Sequence, residues 1–282
     1  INHLDVAPMY GKGEAERVIG EVFKGRELGG IKITTKCRLG TLPDEEVYDR
    51  LNTSLNKSLD NLNMEKVDLF LLHSQLREDD FQLYTLNEYR ETNTTSLSCY
   101  YNSVIPAFER LKKEGKIGSW GIGGLGQNNA IIQAINHETK PKAIQCVINP
   151  LNSAGAIGYV DVDYNPNSIL KESRKARIPI LGIRAVQAGA LTKKMDREPH
   201  ESGFDIKDFE DYDRAEPFRA LASEWEISPS LLAHRYALSA DEVSSVILGV
   251  KNRTELLECI EAEVNGKLTI EQVAKIEEVL AN

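Results

Sequence analysis

Short apolar runs alternate with longer amphipathic stretches along the whole chain. Short runs, most of them rich in Ile, Val and Leu, cover 1–6, 31–36, 67–72, 118–123, 143–148, 178–184 and 244–248. Hydrophobicity that is continuous over so few residues predicts strands covered on both faces. Between them, 14–23, 44–62, 103–114, 128–136, 168–176 and 229–238 place apolar residues with a period of roughly 3.6, which predicts helices with one buried face. Asp44-Glu45-Glu46 after Pro43 puts negative charge at the positive end of its helix, and Gly115 after Lys112 and Lys113 marks a helix end.

Strand and helix in alternation predict a parallel sheet, and 282 residues suit a single α/β domain of the (β/α)8 TIM-barrel type. Seven strands are predicted, one fewer than a closed barrel needs. Ile1-Asn2-His3-Leu4-Asp5 reads as a strand already in progress, so a first β/α unit of about 30 residues is expected upstream, and 1–282 reads as one N-terminally incomplete barrel domain. Two segments break the rhythm. Residues 77–102 are polar and carry Tyr84, Tyr89, Tyr100 and Tyr101; they follow a strand on its rim side and read either as a cover for a site or as a decorated loop. Residues 199–216 form a long acidic segment with no clear element.

The formal net charge of -9 argues against a general binder of nucleic acid or of anionic membranes, whose surfaces are basic. No apolar stretch approaches the ~20 residues of a membrane span. Cys37, Cys99, Cys146 and Cys259 are far apart, without CxxC spacing or a histidine cluster, so they predict buried or idle thiols in a reducing cytoplasm and no metal site.

The candidate chemistry lies at strand ends. Asp5, Lys36 and His73 end successive strand runs at spacings of 31 and 37 residues, close to the roughly 30 of a β/α unit. Their shared address is the C-terminal rim of a barrel, where barrel enzymes keep their active sites, and Tyr10 follows Asp5 in the same rim loop.

Leu4-Asp5-Val6-Ala7-Pro8-Met9-Tyr10-Gly11 followed by Glu14, Glu16 and Gly20, then Thr35-Lys36 and Leu71-Leu72-His73, resembles the aldo-keto reductase family. The resemblance continues through 118–123, through Gln145 to Pro150, and through Ile247-Leu248-Gly249-Val250-Lys251-Asn252-Arg253, and so covers nearly the whole chain. It implies NADPH-dependent, reversible reduction of aldehyde, ketone or sugar carbonyls, with a small carbonyl or alcohol as the partner and no metal. Physical reasoning gives the same roles to the four residues. Hydride delivery to a carbonyl leaves an alkoxide that needs a proton donor. Tyr10 is the candidate acid; phenols ionise near pH ~10, and Lys36 is the cation available to favour the phenolate. Asp5 would hold Lys36, and His73 would orient the carbonyl oxygen. A rim salt bridge, a core-facing tyrosine and a strand-capping histidine are the structural alternatives.

The resemblance also assigns a cofactor site. Gly249, Lys251 and Arg253 match the loop for the adenosine 2′-phosphate and pyrophosphate and favour NADP over NAD; a solvated basic turn is the alternative. Glu258 matches the acidic adenine contact, although Cys259 follows where Asn is common. Gln145 matches the carboxamide-binding Gln, while Gly123-Gly124 replaces the Ser-Asn that shares this task. Arg184 stands where many members place an aromatic ring, and could stack or reach a phosphate or ribose. Ser74 replaces a bulky aromatic of the substrate pocket, leaving Met9 and 77–102 as further substrate-side contributors. The competing functional reading is an NADPH-sensing regulatory subunit on the same fold.

Overall fold

The computed structural model describes residues 1–81, 91–158, 164–241 and 243–281. They fall into two compact units, Ile1–Ile144 and Gln145–Asn282.

In the first unit the strands β1 (His3–Asp5), β2 (Lys32–Cys37), β3 (Val67–Leu72) and β6 (Ile117–Gly123) lie side by side in that order, each parallel to the next. β2 is buried at every position except Lys32, and β3 ends in the fully buried Phe70-Leu71-Leu72, as expected for strands covered on both faces. Helices Glu14–Phe23, Val47–Leu62, Ile105–Lys113 and Asn128–Asn136 connect or follow these strands. Val47, Leu51, Leu55, Leu59 and Leu62 form the buried stripe of the second helix, which Asn63 closes in a left-handed conformation (φ 52°). Phe108 on the third helix meets Phe70 edge-on at 5.7 Å and stacks on Trp120 at 5.4 Å, joining helix to sheet. Gly115 closes that helix with φ 80°, its N–H donating to Lys112 O while Lys116 N–H donates to Leu111 O.

The segment that interrupts the pattern carries two further strands, β4 (Gln75–Arg77) and β5 (Thr94–Ser96), paired parallel with each other. Arg77, the last residue of β4, is buried and donates to Thr94 Oγ1 and to the carbonyls of Glu78 and Asp79. A π-turn, Tyr100–Val104, leads into the helix expected to begin at Ser103. Tyr100 is buried and Tyr101 stacks on His137 at 4.5 Å, so both rings pack into this unit. Tyr84 and Tyr89 lie outside the described residues.

The second unit contains β7 (Ile144–Val147, from its second residue), β8 (Ile180–Ile183) and β9 (Val243–Val246), adjacent in that order. Side-chain caps start three of its helices: Asn165 caps Pro166–Lys175, Ser228 caps Pro229–Ser239, and Asn252 caps Arg253–Asn265. Phe218, Leu221, Leu232, Leu268 and Ile276 centre its core. Three helices were not foreseen: Ile206–Arg214, Glu216–Glu224 and Ile270–Ala281. The first lies in the acidic 199–216 segment, and its Asp208 and Asp211 are buried against polar partners, which hides the apolar stripe that sequence reading relies on.

Candidate active site

The register of β1 on β2 pairs Asp5 with Thr34, and Val6 N–H donates to Thr34 O at 2.9 Å. That brings Lys36, two residues on and on the same strand face, beside Asp5. The Lys36 side chain is 1% exposed and that of Asp5 6%, so their ion pair is buried. An ammonium has three N–H donors, and Lys36 Nζ has three acceptors: Asp5 Oδ1, Val6 O at 3.1 Å and Tyr10 Oη at 3.2 Å. Nζ also lies 4.7 Å from the centroid of the Tyr10 ring.

Tyr10 is held over Lys36 by a tight loop. Its N–H donates to Ala7 O, and the next three residues are left-handed: Gly11 at φ 58°, Lys12 at 56° and Gly13 at 91°. Glycine tolerates this conformation at two of those positions, after which helix Glu14–Phe23 begins. The phenol is not sealed in, since Tyr10 is 40% exposed.

His73 follows β3, and its N–H donates to Cys37 O at 2.7 Å, which fixes it beside the end of β2. Its ring meets that of Tyr10 edge-on, with centroids 6.4 Å apart. Burial, reinforced by the positive charges of Lys36 and Arg38, pushes the imidazole down to about 3, so it is neutral at neutral pH. No side-chain hydrogen bond engages it among the described residues, leaving its ring nitrogens available to a ligand. The structure therefore brings all four expected residues of the first unit together.

Other residues that resemble the family signature serve the scaffold. Glu16 is fully buried and accepts from Thr35 Oγ1 at 2.8 Å and Asn61 Nδ2 at 3.0 Å, tying its helix to β2 and to helix Val47–Leu62. Ser74, expected to leave the substrate wall less aromatic, turns its hydroxyl to accept from the N–H groups of Leu39 and Gly40, both at 2.9 Å. It shapes the loop after β2.

The residues expected at a cofactor lie in the second unit. Gln145 is buried on β7. Arg184 has φ 59° and donates to Asp208 Oδ1 at 2.6 Å and Gln187 Oε1 at 2.9 Å. Asp208 also accepts from Arg197 at 2.9 Å and Ala156 N–H at 3.0 Å, while Asp211 accepts from Gln187, Ser153 and Arg214, each at 2.6 Å. Sequence reading missed this network; its one signal was the spacing of Asp208 and Asp211, which puts both on one helical face.

Gly249 is exposed after β9. Lys251 Nζ pairs with Asp196. Asn252 Oδ1 accepts from Glu255 N–H at 3.0 Å, and Arg253, the first residue of the capped helix, is exposed with no acidic partner among the described residues. The Glu258 carboxylate accepts from Ser228 Oγ and from Ser230 Oγ at 2.7 Å. Cys259 is buried, with His234 Nε2 3.5 Å from its sulfur. Among the described residues no group of three or more His, Cys, Asp or Glu could hold a metal, and no helix is long and apolar enough to cross a membrane.

The arrangement sets a phenol, a buried cation and a neutral imidazole side by side, a set that suits proton transfer. Residues 1–281 match the sequence model of the Aldo/keto reductase family. The chain is 24% identical over 287 residues to a Bacillus subtilis (strain 168) protein named uncharacterized oxidoreductase YqkF, covering 98% of this chain and 82% of that protein. It is also 25% identical over 301 residues to a putative voltage-gated potassium channel subunit beta of Schizosaccharomyces pombe (strain 972 / ATCC 24843), covering 99% and 80%. Among solved structures it resembles aldo-keto reductase AKR11C1 from Bacillus halodurans in its holo form, with a TM-score of 0.69 and 21% identity over 99% of this chain and 82% of the other. That likeness shows the fold, an α/β fold of the (β/α)8-barrel type. The fold and a family match along all but the last residue agree, and the chain belongs to the aldo/keto reductase family of nicotinamide-dependent oxidoreductases.

Proposed function

We propose that this protein reduces aldehyde, ketone or sugar carbonyls to alcohols, reversibly and with NADPH, using Tyr10 as the proton donor. The observation that carries the reading is the saturated ammonium of Lys36, held by Asp5 and Val6 O and aimed at the phenol oxygen of Tyr10.

The donor set of the second unit suits a 2′-phosphorylated dinucleotide. Arg253 is an exposed cation on the first turn of a helix whose N–H groups and dipole favour an anion. Lys251 is a second cation beside it, and Gln145 is a buried amide suited to a carboxamide. Arg184 is held by Asp208, so in this role it would shape the backbone around it more than supply a free cation. When bound, a reduced nicotinamide supplies a hydride, and with it two electrons, to the carbonyl carbon.

The chain's own residues complete the reaction. Neutral His73 hydrogen-bonds the carbonyl oxygen and fixes its direction. As the C=O π pair moves onto oxygen, the Tyr10 proton moves to it and the alcohol forms. The phenolate left behind faces the ammonium of Lys36, of opposite charge, and the exposed side of Tyr10 lets water return the proton. Four buried, unbridged cysteines favour the reducing cytoplasm as the compartment.

A second reading, an NADPH-binding regulatory subunit, is favoured by the similarity to the putative channel subunit beta. One experiment separates them: NADPH consumption with a panel of aldehydes, ketones and sugars, run on the protein and on Tyr10→Phe. Carbonyl-dependent turnover that collapses in Tyr10→Phe is expected. Tight NADPH binding with no turnover on any carbonyl would overturn the reductase and leave the regulatory subunit.

A further inference from the structure

The mouth of the candidate site carries a positive charge that the mechanism above does not use. Arg38 lies two residues beyond Lys36, just past the end of β2, and is exposed. Its guanidinium Nη2 donates to the sulfur of Met9 at 3.4 Å, so the side chain leans over the residue that precedes Tyr10. Its positive charge, after burial and Lys36, also helps to hold the His73 imidazole neutral.

Two features set Arg38 apart from an ordinary surface arginine. First, no carboxylate pairs with it among the described residues, although the chain has 43 acidic residues against 34 Lys and Arg. Its neighbour Lys36 is neutralised by Asp5 and His73 is neutral, so the rim around Tyr10 keeps the charge of Arg38 uncompensated. Second, among the described residues the one side-chain hydrogen bond it makes goes to a thioether, a weak acceptor. Most of its five N–H donors therefore stay open beside an accessible phenol, in a planar fork that matches a carboxylate or phosphate.

We propose, on the reductase reading above, that Arg38 determines substrate class by binding an oxyanion, a carboxylate or phosphate ester, carried by the carbonyl compound itself. With the anion on Arg38, the carbonyl is delivered to the His73 and Tyr10 side of the same rim, and neutral carbonyls lose that anchor.

The test uses matched pairs that differ in charge: succinic semialdehyde against its methyl ester, and glyceraldehyde 3-phosphate against glyceraldehyde. For each, kcat/KM with NADPH is measured on the protein, Arg38→Met, Arg38→Lys and Arg38→Glu. At least one anion should be preferred by about 10- to 100-fold, the worth of a hydrogen bond to a charged group, mostly through KM. The preference should collapse in Arg38→Met, survive in part in Arg38→Lys and invert in Arg38→Glu; which pair shows it separates carboxylate from phosphate. Equal handling of both pairs, or a preference that persists in Arg38→Met and Arg38→Glu, overturns the proposal.

Calorimetric titration of the same anions, with and without saturating NADP, reads Arg38 apart from turnover. If no carbonyl is reduced, the reductase reading falls, yet anion binding that is lost in Arg38→Met still supports the oxyanion site. No detectable anion binding, or binding unchanged in Arg38→Met, overturns it.

Discussion

Lys36 Nζ lies 3.2 Å from the Tyr10 hydroxyl and 4.7 Å from the centre of its ring. The cation is buried and the phenol is 40% exposed, so one face of Tyr10 meets a fixed positive charge while the other can meet substrate or water. A charge placed before the reaction starts needs no reorganisation as the phenol oxygen becomes negative.

Lys36→Met keeps most of the side-chain volume and removes that charge. If Tyr10 is the acid, kcat should fall by about 10²- to 10⁴-fold, the usual worth of a positioned acid or base. The KM for the carbonyl should change little, because Lys36 does not face the ligand side. Steady-state kinetics at saturating NADPH check both; a KM effect with kcat intact would make Lys36 a binding residue.

Asp5 is the counter-ion of a cation that has almost no access to water. Asp5→Asn leaves the buried ammonium without its partner, a change that costs about 3–5 kcal/mol in typical buried pairs. A lowered urea midpoint at pH 7 is expected, and the double variant Asp5→Asn with Lys36→Met should recover part of the loss. Equal stability of Asp5→Asn and the parent would show that the pair is solvated.

His73 links pH to stability. Folding lowers its pKa from the ordinary 6.5 to about 3, so between those values the unfolded chain binds more protons than the folded one. Stability from this group is fully present above pH ~6.5 and is lost as pH falls toward 3. The slope reaches up to about 1.4 kcal/mol per pH unit. Urea melts of the protein and His73→Gln from pH 7 to pH 4 should diverge in that direction; parallel curves would refute the depressed pKa.

Much of the first unit was legible because its strands are short, apolar runs and its polar residues fall at strand ends. Asp5, Lys36, His73 and Tyr10 could be grouped from spacing alone, since parallel strands of similar length place their ends on one rim. The rest depended on partners far away in sequence. Lys251 meets Asp196, 55 residues earlier, and Glu258 meets Ser228, 30 earlier, contacts that no local pattern announces. Helix Ile206–Arg214 escaped for a related reason: its buried face carries Asp208 and Asp211, so it reads as a charged loop until Arg184, Arg197 and Gln187 are placed against it. By sequence Ser74 stands at the pocket wall, and only the path of the 39–40 backbone shows what its hydroxyl holds.

Gly20 marks where helix Glu14–Phe23 meets the end of helix Val47–Leu62. A Cβ at this position would lie 2.3 Å from Asn61 O and 2.8 Å from Leu62 C, both backbone atoms that cannot swing aside. Alanine gains up to about 1 kcal/mol of helix propensity, while forcing the helices apart costs about 1–3 kcal/mol. Gly20→Ala should therefore be destabilised in urea titration, and a raised midpoint would mean that the two helices can separate freely.

Arg253 gives the sharpest test of cofactor choice. It is exposed, lacks an acidic partner among the described residues and sits on the first turn of a capped helix, whereas Lys251 must first leave Asp196. A 2′-phosphate would therefore draw on Arg253 more than on Lys251. A charge-assisted hydrogen bond is worth about 1.5–3 kcal/mol, so Arg253→Ala should weaken NADPH binding by about 10- to 100-fold. NADH lacks that phosphate and should bind the variant about as it binds the parent. Fluorescence titration of both nucleotides against both proteins decides the matter. Equal weakening of NADPH and NADH would move Arg253 to the pyrophosphate, and no weakening of either would leave the 249–253 turn as a solvated basic loop.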